Sequence, residues 1–276
     1  MTLELALHTV PAVPLEAEVL SPARLAGLSE RDVAKLGVVH GNQRAELGEF
    51  FRVTGSGDGE LRLTGDLSRI KQVGAGMASG RLVVEGTVGM HLGAGMTGGE
   101  IVVEGNAGDW VGPEMTGGRI VIKGNAGHMV GSANRGSAVG IRGGEILVLG
   151  SAGNEVGAGM RRGLIAIGGD CGDFAGVNML AGTVVVLGSL GWRTGAGMHR
   201  GSIIGMRPAE LLPTFTYSCS YRPAFLRLLL LHIQRLGLAV TPAMLDGSYQ
   251  RWCGDAVELN RGEIFLLDPA AAAGSN

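Results

Sequence analysis

The chain has few aromatic residues, few cysteines and almost no net charge. Phe, Trp and Tyr make up 4% of its 276 residues, the formal net charge is −2, and the three cysteines are Cys171, Cys219 and Cys253. A nearly neutral chain offers no electrostatic basis for binding nucleic acid or an anionic membrane. Widely spaced cysteines without a CxxC pair favour free thiols in a reducing compartment over a disulfide framework.

Long hydrophobic runs are also missing. The longest candidate, Leu228–Ile233, contains His232 and falls far short of the roughly 20 apolar residues that a membrane span needs. The N-terminal segment carries early glutamates and no basic region, which is unlike a secretion signal. We therefore expect a soluble, cytoplasmic protein.

Glycine is abundant, with 50 residues, and 45% of the chain is hydrophobic. The absence of a three-residue period excludes collagen. Hydrophobic residues in regular columns can bury a continuous core, which argues against disorder.

The glycines recur every 19 residues, with one step of 26. One glycine column is Gly93, Gly112, Gly131, Gly157, Gly176 and Gly195. An apolar column keeps the same steps: Leu82, Ile101, Ile120, Ile146, Ile165, Val184 and Ile203. Several columns in phase at a period near 20 indicate a solenoid, in which each repeat contacts mainly its neighbours.

Each repeat contains an apolar strand of four or five residues followed by glycines and short segments. This order predicts a mainly β fold, a parallel β-helix of about seven coils. Stacked glycine columns are expected at corners with positive φ, because only glycine takes such angles freely. A methionine column is expected to fill the core: Met77, Met96, Met115, Met160, Met179 and Met198.

The chain divides into three expected domains. Residues 1–60 form a non-repetitive α/β flank with one helix over Ser21–Leu36. Residues 61–206 form the β-helix. Residues 207–276 form a cap with a helix near Pro223–Leu236 and a strand over Gly262–Leu267.

Strand alternation divides the repeat residues into inward and outward columns. One outward column is expected to form a solvated ladder of opposite charges: Arg81, Glu100, Arg119 and Glu145. Farther along the array, the same outer face becomes apolar at Leu149, Leu164 and Leu187. Either the helix near Pro223–Leu236 covers this face or another protein of a complex does.

The step of 26 reflects a seven-residue insertion within Ser132–Gly143. Insertions in solenoids are extruded as loops on one face and often contact partners. The sequence leaves two alternatives open, a solvated loop and a partner-contacting loop.

No pattern identifies a catalytic, cofactor-binding or metal-binding residue. His91, His128 and His199 fall at different phases of the repeat, whereas zinc needs three or four ligands about 2 Å away. The GAGM sequences lack the helix and downstream acid of a dinucleotide site. Four acidic residues in turns could form a carboxylate pair, although solvation is the simpler expectation: Asp109, Glu155, Asp170 and Asp173.

The repeat array, with its VGAGM units, resembles the domain that ends the large subunit of glutamate synthase. That resemblance implies a right-handed β-helix that couples neighbouring catalytic domains without chemistry of its own.

The flanks of the array carry a more specific resemblance. Gly37–Asn42 and Leu47–Phe51 resemble the N-terminal section of the C subunit of formylmethanofuran dehydrogenase. Tyr249–Asp255 and Asn260–Ile264 resemble its closing section, with Asn260 in place of the usual glycine.

The resemblance covers nearly the whole chain and implies one of two complexes. The archaeal complex makes formylmethanofuran from CO2 with a molybdenum or tungsten pterin. The bacterial formyltransferase/hydrolase complex moves a formyl group from tetrahydromethanopterin to a methanofuran-like carrier and releases formate. Three lysines against twenty arginines suggest a GC-rich genome and favour the bacterial branch.

The resemblance thus implies a non-catalytic structural subunit that binds no cofactor itself. Its implied partners are an amidohydrolase-like catalytic subunit, a pterin-type B subunit and a formyltransferase subunit. The first alternative is the C subunit of the archaeal dehydrogenase, and the second is a glutamate synthase-like module. A hexapeptide-type acyltransferase would need a six-residue period, which is absent.

Overall fold

The structure is a computed structural model that describes residues 2–57 and 59–268. The expected C-terminal cap, 207–276, therefore extends beyond the described residues at its end. The helices are α1 (Pro22–Leu25), α2 (Glu30–Ala34), α3 (Ala224–Arg235) and α4 (Pro242–Asp246), with a 3-10 turn at Leu47–Glu49. The strands are β1 (Leu3–Leu7), β2 (Leu15–Glu16), β3 (Gly37–His40), β4 (Gln43–Glu46), β5 (Phe51–Thr54), β6 (Glu60–Thr64), β7 (Ile70–Lys71), β8 (Arg81–Glu85), β9 (Glu100–Val103), β10 (Arg119–Ile122), β11 (Arg142–Val148), β12 (Arg162–Ile167), β13 (Thr183–Val186), β14 (Arg200–Gly205), β15 (Thr216–Tyr221), β16 (Tyr249–Gly254) and β17 (Arg261–Leu267).

Thirteen strands form one long sheet, in the order β15-β16-β17-β14-β13-β12-β11-β10-β9-β8-β6-β1-β5. From β6 to β14, each repeat adds one strand in parallel to the strand of the repeat before it. The pairing keeps the columns in register, with Leu82 opposite Ile101 and Ile101 opposite Ile120. The prediction of a mainly β chain with extensive parallel pairing is therefore confirmed.

A second line of parallel contacts runs along the repeats outside the long sheet. Single bridges link seven apolar residues, one from each repeat: Leu67, Val88, Ala107, Ala126, Ala152, Cys171 and Leu190. The apolar side chains between this line and the long sheet form one continuous core. All six residues of the methionine column are buried in it, as predicted.

Glycine occupies these columns for two different reasons. The columns of Gly93 and Gly99 have positive φ, 64° and 83° at these two residues, as expected for corners. Gly105 does not have positive φ, and a Cβ there would lie 2.6 Å from the carbonyl oxygen of Gly86. In that column only Gly86 has positive φ, 139°, so the prediction is wrong from Gly105 onward, where close approach of neighbouring repeats excludes a side chain instead.

One corner column takes positive φ without any glycine. Its φ values lie between 55° and 63° at Gln72, His91, Trp110, Met129, Glu155, Phe174 and Arg193. The expectation that glycine columns occupy the corners with positive φ is therefore wrong for this corner. A left-handed residue costs about 1–2 kcal/mol. Regular hydrogen bonds between repeats offset this cost, such as the one from the Trp110 N–H to the His128 carbonyl (2.9 Å).

The charged ladder forms where the alternation places it. Arg119 Nε lies 2.9 Å from Glu145 and Arg119 Nη1 lies 3.8 Å from Glu100, which also meets Arg81 at 3.5 Å. Lys123 and Glu104 pair at 2.7 Å on the same face. The prediction of opposite charges stacked one strand apart is confirmed.

Helix α3 covers the apolar part of the outer face. Its buried residues Leu226, Leu230 and Ile233 pack on Leu164 and Leu187 of the sheet. Leu149 is half-buried beside Gly237, just after the helix. Of the two alternatives left open by the sequence, coverage by the chain's own helix is the one observed.

The N-terminal flank departs from the predicted single helix over Ser21–Leu36. Two short helices, α1 and α2, stand in its place, separated at Gly27 with φ 74°. Ser29 begins α2, where its hydroxyl accepts a hydrogen bond from the Asp32 N–H. The helix at the C-terminal end and the closing strand, β17, agree with prediction.

In the described part of the chain, no helix is both long and apolar enough to cross a membrane.

Candidate functional site

A groove of about 640 Å³ runs along the second half of the repeats, beside the insertion. Both the insertion and the corner column with positive φ contribute to its walls. The side chains that give it chemical character are those of Met129, Asn134, Arg135, Glu155, Phe174, Asn178, Leu180 and His199.

Hydrogen bonds hold the insertion against the following repeat. The Ala133 N–H donates to the Ala158 carbonyl (3.3 Å), and the Gly140 N–H donates to the Gly159 carbonyl (2.9 Å). The hydroxyl of the buried Ser132 donates to the Met129 carbonyl (2.7 Å). The insertion is thus anchored at both ends and forms one side of the groove.

Aromatic rings of the corner column lie along the same surface. His91 and Trp110 stack with ring centroids 5.2 Å apart, and Arg135 from the insertion lies 5.8 Å from the Trp110 ring. Farther along, Arg193 lies 5.4 Å from the Phe174 ring. Contacts between a guanidinium and an aromatic face stabilise both groups.

A second depression, of about 450 Å³, continues the groove through the shared residues Leu180 and His199. Three arginines line it, Arg161, Arg162 and Arg200. His199 lies 3.5 Å from Glu258. The two depressions therefore form a surface that is apolar on one side and basic on the other.

Three of the four carboxylates considered from the sequence bind backbone groups, whereas Glu155 lines the groove. Asp109 Oδ1 accepts from the His128 N–H (2.7 Å), and Asp173 Oδ1 accepts from the Trp192 N–H (2.9 Å). Asp170 Oδ1 accepts from the Ser189 N–H (2.7 Å), and this hydrogen bond lowers the pKa of Asp170. These side chains tie successive repeats together, a role that neither alternative from the sequence included.

The histidines and thiols remain apart. His128 Nδ1 accepts from the Asn154 N–H (2.9 Å), while His91 and His199 lie in other contacts. Burial raises the pKa of Cys171 to about 12, so that its thiol stays protonated at neutral pH. Among residues 2–57 and 59–268, no three His, Cys, Asp or Glu side chains come together as a metal site would require.

The tail that resembles the known family fastens the C-terminal strands to the last repeat. The buried Asp255 carboxylate accepts from the Gly197 N–H (2.9 Å) and the Val257 N–H (3.1 Å). Burial acts to raise the pKa of Asp255, but these hydrogen bonds outweigh it and lower the pKa. Asn260 has φ 51°, and asparagine tolerates this left-handed conformation better than most residues, which explains its place in a glycine position.

Sequence reasoning missed the groove. Its residues come from the insertion and from three or more repeats, and no motif joins them. One signal was present in the sequence. One column of the repeat carries large residues, including Trp110 and Phe174, whereas the other corner columns carry mainly glycine.

These features define a class: a repeat-built, mainly β protein with a long parallel sheet and an open groove along its repeats. One chain of a solved structure is similar to this chain over almost its entire length. That structure is the formyltransferase/hydrolase complex (FhcABCD) from Methylorubrum extorquens in complex with methylofuran. The similarity to one of its chains has a TM-score of 0.90 at 37% identity and covers 96% of this chain and 99% of that one. The chain belongs to the family formed by the C subunits of formylmethanofuran dehydrogenases and of the formyltransferase/hydrolase complex.

Curated relatives match over shorter stretches. The C subunit of the molybdenum-containing formylmethanofuran dehydrogenase 1 of Methanosarcina barkeri is 43% identical over 84 residues, 29% of this chain and 28% of that one. The C subunit of the formyltransferase/hydrolase complex of Methylorubrum extorquens is 38% identical over 70 residues, 25% of this chain and 26% of that one. The matched stretches thus span little more than a quarter of these relatives. No protein-family model matches the chain.

Proposed function

We propose that the chain is a structural subunit of a formyltransferase/hydrolase complex in one-carbon metabolism. Such a complex converts formyl-tetrahydromethanopterin to formate through a formylmethanofuran-like carrier. The observation that carries this proposal is the end-to-end similarity to a chain of the Methylorubrum extorquens complex, at 99% coverage and 37% identity. Its partners would be an amidohydrolase-like subunit, a pterin-type B subunit and a formyltransferase subunit, in the cytoplasm.

We propose further that this subunit performs no catalysis itself. Three of the acidic and imidazole groups in the turns, Asp109, His128 and Asp173, each bind a backbone N–H of the next repeat. These contacts support a structural role for the three groups, because each one joins two neighbouring repeats. The formyl carrier and tetrahydromethanopterin would then bind to other subunits.

The subunit would act by holding other subunits in position. We infer that residues 61–206 wind as a right-handed parallel β-helix, between an N-terminal domain of residues 1–60 and a C-terminal cap of residues 207–276. The long sheet and the second line of parallel bridges support this inference, because a chain that winds once per repeat would place one strand and one bridge in each turn. Such a stiff body would hold catalytic subunits at a fixed separation, so that a tethered carrier travels between them. The hand of the coil can be read directly from an experimental density map.

Purification of the tagged chain from its native host tests the main proposal. We expect formyltransferase and amidohydrolase-like subunits to co-purify in stoichiometric amounts, without molybdenum or tungsten by elemental analysis. A stable monomer that hydrolyses formyl amides without partners would contradict the structural role.

A second candidate is the C subunit of a molybdenum- or tungsten-containing formylmethanofuran dehydrogenase. It is favoured by the local identity to the Methanosarcina barkeri protein, 43% over 84 residues. Stoichiometric molybdenum or tungsten in the purified complex would select this candidate over the first.

A further inference from the structure

Five exposed arginines lie where four strands of the long sheet begin, namely β11, β12, β14 and β17. They form the arginine row: Arg142, Arg161, Arg162, Arg200 and Arg261. Arg142 lies opposite Arg162, and Arg200 lies opposite Arg261, in the parallel pairing. Since neighbouring strands are about 4.8 Å apart, like charges are stacked at the closest spacing that a sheet allows.

Like charges directly opposite each other destabilise a sheet. Elsewhere in the same sheet this repulsion is avoided, because Glu100 lies opposite both Arg81 and Arg119. Within residues 2–57 and 59–268, no member of the arginine row has an ion-pair partner. The row is therefore a concentration of positive charge that no ion pair among the described residues neutralises.

The arginine row borders the groove. Arg161, Arg162 and Arg200 line the depression that shares Leu180 and His199 with it. The groove itself presents apolar surface from Met129, Phe174, Val177 and Leu180. Two carboxylates also face this region, Glu155 in the groove and Glu258 beside His199.

We propose that the groove and the arginine row together bind an acidic, amphipathic segment of a partner polypeptide. Its carboxylates would pair with the arginines, whose planar guanidinium groups bind carboxylates through two hydrogen bonds. Its apolar side chains would enter the groove between the insertion and the corner column. This inference rests on the proposed role of the chain as a structural part of a complex, and it deepens that role by assigning a contact surface.

Photocross-linking in the assembled complex tests the proposal. Benzoylphenylalanine replaces Leu180, where the two depressions meet, and in a matched control it replaces Val10, which is exposed on the N-terminal flank. We expect the Leu180 probe to cross-link a partner segment rich in Asp and Glu, and the Val10 probe not to cross-link that segment. A Leu180 cross-link to a non-acidic segment would overturn the proposal, as would a complex that assembles fully without any Leu180 cross-link.

Charge reversal supplies an independent measurement. The variant Arg161→Glu, Arg162→Glu, Arg200→Glu should weaken capture of the acidic partner at least about tenfold and reduce the salt dependence of binding. The control Arg31→Glu, Arg44→Glu, Arg52→Glu makes the same change in charge at exposed positions of the N-terminal flank. Equal binding by both variants would contradict the proposal.

The proposed function and the proposed contact surface can be contradicted separately. If the wild-type chain captures no other protein of the complex at all, the proposed function fails. If the wild-type chain assembles and a small polycarboxylate, detected by native mass spectrometry, occupies the arginine row instead of a peptide, only the contact surface fails. A charge-reversal variant that does not fold leaves the cross-link result to decide, because the Leu180 probe adds no charge.

Discussion

Polar side chains in the turns join neighbouring repeats through hydrogen bonds from backbone N–H groups. Asn106 Oδ1 accepts from the Asn125 N–H, Asn125 Oδ1 accepts from the Ser151 N–H, and the series continues to Ser189. Each link joins two repeats and satisfies a backbone group that would otherwise lack a partner at a corner. The polar residues of these turns therefore belong to the structure of the repeat.

Glu145 is the residue where the charged ladder meets helix α3. Its carboxylate contacts Arg119 Nε at 2.9 Å and His232 Nε2 at 2.6 Å. Burial acts to raise the pKa of Glu145, but the hydrogen bonds from His232 and Arg119 outweigh it, and the net pKa is lowered from 4.5. A lowered pKa in the folded state stabilises the protein above the unfolded pKa, and this contribution is lost as the pH falls through the folded value.

We therefore expect Glu145→Gln to lower the free energy of unfolding by about 1 kcal/mol at pH 7. The difference from wild type should shrink as the pH falls below 4.5, because the wild-type carboxyl then becomes protonated as well. Urea denaturation at a series of pH values measures both effects. The control Glu104→Gln disrupts a more exposed pair with Lys123 and should change stability by about 0.5 kcal/mol or less. A difference from wild type that stays constant across the pH series would refute the role of the carboxylate.

At the scale of secondary-structure elements, helix α3 determines which part of the outer face of the long sheet is exposed to solvent. Its buried residues, Leu226, Leu230 and Ile233, follow the spacing of one helical face. They cover sheet residues that are buried on the outer face, such as Val185 and Ile204, so this part of the sheet is buried on both faces. In the first repeats, the same outer face carries the charged ladder and stays in contact with solvent.

Two leucines of α3 provide a matched pair of substitutions. Leu230 is fully buried, whereas Leu228 is 71% exposed. Leu230→Asp should destabilise the isolated chain by at least about 3 kcal/mol, because it removes core packing and buries a charge. Leu228→Asp should change stability by about 0.5 kcal/mol or less. Chemical denaturation of both variants compares them, and equal stabilities would mean that α3 does not pack as described.

At the scale of the whole molecule, each end of the repeat array is capped by one strand in parallel pairing, followed by antiparallel strands. At the N-terminal end, β1 pairs in parallel with β6, and β5 then pairs antiparallel with β1. At the C-terminal end, β17 pairs in parallel with β14, followed by the antiparallel strands β16 and β15. Capping of this kind prevents the edge of the array from pairing with another chain.

A chain ending after Arg207 should therefore aggregate. It would expose the edge of β14 together with the apolar outer surface that α3 covers in the full chain, including Leu187 and Ile204. Light scattering and binding of a hydrophobic dye distinguish this outcome from a folded monomer. A monomeric truncated protein with a sharp unfolding transition would show that the repeats need no C-terminal cap.

The sequence by itself determined the repeat, the strand of each repeat, the ladder from Arg81 to Glu145 and the position of α3. It could do so because these features depend on period and alternation, which are local properties read along the chain. The two departures have different causes. Gly27 divides the expected N-terminal helix locally, whereas contact between repeats, which only the fold provides, excludes a side chain at Gly105.

Only the tertiary structure decided what covers the outer face at Leu187, and what the turn carboxylates bind. It alone brought the insertion and Phe174 to one groove, with three residues of the arginine row in the adjoining depression. The physical reason is that these contacts join residues from different repeats, whose meeting depends on how the chain winds and on where the insertion folds back. Spacing along the chain gives the columns, but the geometry between columns exists only in the folded molecule.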